Sequence, residues 1–117
     1  MAEETLSGNA LMQHPNCERV TTFRYYRGEQ GVRKEDVEGL AFKDFVLFND
    51  PGAGWRIIHK NTGRAVGRHF LFNRCLEYVR YITPFAEWRS VDGPLKKESE
   101  LYGRMLNAAK IFGVMDV

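Results

Sequence analysis

Hydrophobic and polar positions alternate with two periods along this chain, and the switch between them falls near residue 70. Before it, the pattern has the period of two expected of strands. Val20 to Arg27 is rich in β-branched and aromatic residues, with Phe23 and Tyr25 on one face and Arg24 and Tyr26 on the other. Lys43 to Asn49 has apolar residues on both faces, Phe45 and Leu47 against Val46 and Phe48, as a strand covered on both sides would. Trp55 to Lys60 puts Trp55, Ile57 and His59 on one face and Arg56, Ile58 and Lys60 on the other. Arg64 to Arg68 follows as a short return strand. The intervening Asn61-Thr62-Gly63 suits a tight hairpin loop with glycine in the left-handed position. The charged stretch Arg33 to Glu38 predicts a short helical turn, with Gly39 as its stop.

After the switch the apolar spacing becomes helical. Phe72, Cys75, Leu76, Val79 and Ile82 recur at three- and four-residue intervals and predict a helix over 70–82, ended by Thr83-Pro84. A second helix is predicted over 94–112. Asp92 or Gly93 would cap it, Pro94 would take its first position, and Gly113 would stop it. Its buried face would carry Leu95, Tyr102, Met105, Leu106, Ala109 and Phe112. The order of elements predicts an α+β fold: an antiparallel meander of three to four strands with two C-terminal helices packed on one face. Residues 1–19, broken by Ser7-Gly8-Asn9 and His14-Pro15-Asn16, read as a flexible or loosely docked arm before a single domain over 20–117.

Composition fits that picture. The 117 residues include eight Phe, five Tyr and two Trp, enough apolar surface to offset the entropy of ordering one domain. No apolar run is long enough to span a bilayer, and the acidic Met1-Ala2-Glu3-Glu4 is unlike a secretory signal, so the chain reads as cytoplasmic and without a membrane partner. In that compartment Cys17 and Cys75 are expected as free thiols.

Charge adds the main functional signal. The net charge is +2, but Arg56, Lys60, Arg64, Arg68, Arg74 and Arg80 face a single acid, Glu77, between positions 56 and 80. Arg56, Lys60, Arg64 and Arg68 on a two-stranded ribbon could hold phosphates in a major groove. Arg74, Tyr78 and Tyr81, spaced as one face of the following helix, would extend the contact. The expected function is therefore a small non-enzymatic binding protein associated with nucleic acid through this basic hairpin and helix. The alternative is an adaptor or inhibitor, of the kind a phage or mobile element encodes, docking on a protein through Tyr25, Tyr26, Tyr78, Tyr81, Trp88 and arginines. Neither the aromatic octapeptide of the RNA-recognition motif nor the lysine-led helix of double-stranded-RNA-binding domains occurs; Gly67-Arg68-His69-Phe70 stands where the latter would begin.

Other chemistry has thinner support. His14, Cys17, His69 and Cys75 lack the two close ligand pairs typical of structural zinc, so no metal or other cofactor is expected. Cys75 beside His59 or His69 could form a thiolate–imidazole pair, but Cys75 lies on the apolar stripe of its helix, where thiols are inert. No catalytic residue is assigned.

Overall fold

The computed structural model describes residues 17–85, 87, 88, 91, 93 and 95–117. Five antiparallel strands form one meander, β1 (Glu18–Gly28), β2 (Gly31–Phe42), β3 (Phe45–Asp50), β4 (Gly54–His59) and β5 (Arg64–His69). Two helices follow, α1 (Phe72–Ile82) and α2 (Glu100–Phe112). The class is α+β, with one strand more than the pattern predicted. Of the arm expected over 1–19, residues 1–16 lie outside the described residues, while Glu18 and Arg19 already belong to β1.

The additional strand is the segment expected to form a helical turn. Arg33 to Glu38 is part of β2, in register with β1 from Glu18 opposite Ala41 to Gly28 opposite Gly31. Its charges are cross-strand partners rather than a helix surface. Arg24 bonds Glu35 at 2.6 Å, Arg19 pairs with Glu38, and the Lys34 ammonium sits 4.5 Å from the centre of the Phe23 ring. Gly39 therefore stops no helix. It serves a close approach of backbones: a Cβ there would lie 2.5 Å from the Leu47 carbonyl oxygen and 2.7 Å from Val46 Cγ1.

That approach bends the sheet. β2 is paired to β3 only through Leu40–Phe42, whereas β1 and β2 pair along their whole length. Beyond Gly39 the β1–β2 hairpin leaves the plane of the meander and comes back against its far side. Two contacts fix the return. The Tyr25 N–H donates to the Gly63 carbonyl in the β4–β5 loop at 2.8 Å, and Arg24 reaches Asp50, at the far end of β3, at 3.7 Å. The sheet thus curls into an incompletely closed barrel, with β1 brought to β5.

The curl explains why β3 is apolar on both faces. Phe45 and Leu47 join Leu40, Trp55, Ile57 and Val66 in a core that includes the buried faces of α1 and α2. Val46 and Phe48 join Ala41 and Ile58, with Val20 and Val37 of the hairpin packed on them, in a smaller second cluster. In the larger core Trp88 is 3% exposed. Its ring stacks on His59 with centroids 5.0 Å apart, and its indole N–H donates to the Ile82 carbonyl at 2.9 Å.

The helices differ from expectation at their edges. α1 spans 72–82 and buries the expected stripe, but also Tyr78. α2 begins at Glu100, where the Ser99 hydroxyl accepts the Tyr102 N–H at 3.2 Å, so the cap is Ser99 and not Asp92 or Gly93. Pro94 lies outside the described residues. The buried face of α2 is Leu101, Met105, Ala108 and Ala109, rotated from the one expected, which leaves Leu106 exposed and Tyr102 half-buried. It ends at Gly113, as the sequence indicates.

Tyr78 contributes a buried polar contact. The β4–β5 register shifts between Ile57 and Ile58, so that Val66 has no opposite number in β4. The Tyr78 hydroxyl donates to the Val66 carbonyl at 2.8 Å. Tyr78→Phe is expected to leave that carbonyl unpaired and to cost about 1–2 kcal/mol in denaturant unfolding, an interaction of buried neutral groups. No change in the unfolding midpoint would show that the bulge needs no such partner.

Candidate nucleic-acid interface

Several residues proposed from sequence as one basic surface are separated by the fold. Tyr78 is 0% exposed and fills core volume, because it lies three residues after Cys75 and four before Ile82 on the buried stripe of α1; this corrects its expected place on an exposed face. Arg74 stays on the helix surface, 3.3 Å from Glu77. Tyr81 is 48% exposed and packs edge-on against Phe85 and Phe112. Arg68 pairs with Asp116 and donates to the Ala53 carbonyl at 3.1 Å. Lys60 is exposed at the β4–β5 loop, its N–H bonded to the Asp44 carbonyl at 2.8 Å.

The ribbon these residues were to form is packed against β1 at its loop. Thr62 and Gly63 at its tip are buried. Gly63 has φ +69°, and a Cβ there would lie 2.6 Å from Phe23 Cε2, so β1 covers the Gly63 side of the loop and leaves Lys60 and Asn61 exposed.

Arg56 and Arg64 do come together, with residues the sequence reading had not grouped with them. At the seam where β1 approaches β5 there is a cleft of about 600 Å³. Arg24, Tyr25, Tyr26 and Arg27 of β1 form one wall; Arg56, Ile58, Arg64 and Ala65 of β4 and β5 form the other. Lys97 and Tyr102 contribute from α2 and the segment leading into it. Five cations line this space and one acidic side chain, Asp50, shares it.

The cations fall into two groups. Arg24 and Arg56 are structural: Arg56 lies 2.5 Å from Asp50, and Arg24 is shared between Glu35 and Asp50. The Arg24 guanidinium also contacts Tyr26 and Phe48, 4.7 and 4.9 Å from their ring centres. Among the described residues Arg27, Arg64 and Lys97 have no carboxylate partner, so the excess positive charge resides on them. Arg64 instead rests on Tyr25, with its guanidinium carbon 4.6 Å from the ring centre.

The signal for the β1 wall is local: Arg24-Tyr25-Tyr26-Arg27 sets two adjacent aromatics between two cations. Its meeting with Arg56 and Arg64 depends on the bend at Gly39, which no spacing within either segment encodes.

The thiol and imidazole groups are placed elsewhere. Cys75 is 0% exposed, its thiol faces the Trp55 and His69 carbonyls, and burial pushes its pKa up to about 12, far from thiolate chemistry at neutral pH. Cys17 and Cys75 are both free. Among the described residues no group of three or more His, Cys, Asp or Glu is arranged to hold a metal; His14 lies outside them. Nor is any described helix long and apolar enough to cross a membrane.

His59 is buried, bonded through Nδ1 to the Thr62 hydroxyl at 3.1 Å, and burial lowers its pKa, opposed in part by Asp44. The unfolded chain therefore takes up a proton near pH 6.5, where the folded chain does not yet do so. Stability should be constant above that pH and fall below it, by at most about 1.4 kcal/mol per pH unit from this residue. Urea unfolding between pH 8 and pH 5 measures the slope, which His59→Gln should reduce; an unchanged slope would assign it to other groups.

No family model, no curated protein and no solved structure matches the chain.

Proposed function

We propose that this protein is a non-enzymatic binding protein for nucleic acid, and that its contact surface is the seam cleft rather than the outer faces of the β4–β5 hairpin and α1. One observation carries the reading: five cations converge on a recess whose lining has one acidic side chain, and Arg27, Arg64 and Lys97 lack carboxylate partners among the described residues. Uncompensated cations held together in a concave site attract a polyanion, and arginine and tyrosine side by side suit phosphates and bases together. The protein-docking alternative loses two of its anchors, since Tyr78 and Trp88 are in the core.

Fluorescence anisotropy of a labelled mixed-sequence oligonucleotide tests the proposal. Engaging three phosphates through Arg27, Arg64 and Lys97 should give log K against log salt a slope of magnitude about 2–3. Arg74→Ala should leave binding unchanged, because Arg74 lies off the cleft and is paired with Glu77. Absence of binding at low salt, or equal losses from Arg74→Ala and Arg27→Ala, would defeat the proposal.

A further inference from the structure

We infer that the cleft takes nucleic acid as a single strand, with an unpaired base stacked on the Arg64 guanidinium and neighbouring phosphates on Arg27 and Lys97. This rests on the nucleic-acid reading above and narrows it to one class of ligand.

Three features favour a single strand over a duplex. The β4–β5 ribbon has Thr62 and Gly63 of its loop buried, the Gly63 carbonyl accepting the Tyr25 N–H at 2.8 Å and Gly63 packed on Phe23. Only Lys60 and Asn61 of that loop stay exposed, a small end to enter a major groove. The cations instead line a recess of about 600 Å³ between β1 and β5. A duplex carries its phosphates on convex rails and hides its base faces, so it would meet only the rim of such a recess. A single strand can enter it and turn its bases toward the walls.

The third feature is the difference between two stacked arginines. The Arg24 guanidinium already contacts two rings, Tyr26 and Phe48, and its charge is shared with Glu35 and Asp50. It has nothing left to offer a ligand. Arg64 has a single ring contact, its guanidinium carbon 4.6 Å from the centre of Tyr25, and among the described residues no second ring and no carboxylate engages it. Tyr25 is itself braced edge-on by Phe23, with centroids 5.6 Å apart. A planar cation resting on a braced ring and bordering an open cleft offers a stacking partner for a base and also attracts the adjoining phosphate.

The test compares one short mixed-sequence oligonucleotide with its own duplex, and the native protein with Arg64→Lys, which keeps the charge and removes the plane. The single strand should bind at least about tenfold more tightly than the duplex, and Arg64→Lys should weaken single-strand binding about tenfold with the salt slope unchanged, as lost stacking without lost charge requires. Duplex binding equal to or tighter than single-strand binding would overturn the inference while leaving the nucleic-acid reading intact. So would native affinity in Arg64→Lys. Binding of neither form would end the nucleic-acid reading itself, and polyglutamate competing as well as the oligonucleotide would replace it with recognition of acidic polypeptide.

Discussion

Replacing Trp88 by alanine is expected to destabilise the fold by about 3–5 kcal/mol, the range for deleting a large aromatic side chain from a packed core. The indole is 3% exposed and meets Phe45 edge-on, with centroids 4.8 Å apart, as well as His59 face-on. Its N–H satisfies the Ile82 carbonyl at the end of α1, so truncation removes a hydrogen bond as well as volume. Trp88 lies in the connection between the two helices, yet its aromatic ring contacts lie on β3 and β4. It therefore ties the connection between the helices to the sheet, beside the contacts that α1 itself makes with β3 and β4. Denaturant unfolding followed by the remaining Trp55 gives the measurement. A loss below about 1 kcal/mol would mean that the connector is not part of the core, because surface substitutions stay within that range.

Gly39→Val is expected to cost roughly 3 kcal/mol, the upper end of the penalty for overpacking. Even the first carbon of the new side chain would lie 2.5 Å from a main-chain oxygen of β3, and a backbone carbonyl cannot rotate aside as a side chain can. The expected consequence is selective. The contact touches the larger core only through the Leu47 main chain, whereas the return of the β1–β2 hairpin over Val46 and Phe48 depends on it directly. Oligonucleotide affinity should then fall although no cleft side chain has been altered, because the wall formed by Arg24–Arg27 would no longer face Arg56 and Arg64. Native stability in Gly39→Val would show that the hairpin can shift to accept a side chain, and the bend would need another cause.

How much of this the sequence revealed follows from the range of the interactions involved. The strands β3, β4 and β5, the helix α1 and the turn at Gly63 are written in local periodicity and turn chemistry, and the structure contains them close to where those signals lie. β2 was misread because Arg33, Lys34, Glu35, Asp36 and Glu38 look like a solvated turn until β1 supplies partners for them. Tyr78 was misread because a helix offers two readings of one spacing. It is four residues from Arg74 on a polar face and three from Cys75 on the apolar one, and the polar–apolar balance alone did not decide between them. The candidate site was half legible. Arg56 and Arg64 were singled out, but grouped with Lys60, Arg68 and Arg74 by adjacency in sequence. The fold groups them with Arg24, Arg27 and Lys97 by closing the sheet on itself.

The central claim is that the seam between β1 and β5 is the contact surface. Backbone and side-chain NMR shifts recorded while a short single-stranded oligonucleotide is added test it most directly. Perturbations concentrated at Tyr25, Arg27, Arg64 and Lys97, with Arg74, Tyr81 and Lys110 unmoved, are the expected result. Shifts centred on the outer faces of α1 and α2, with the cleft residues unchanged, would contradict it.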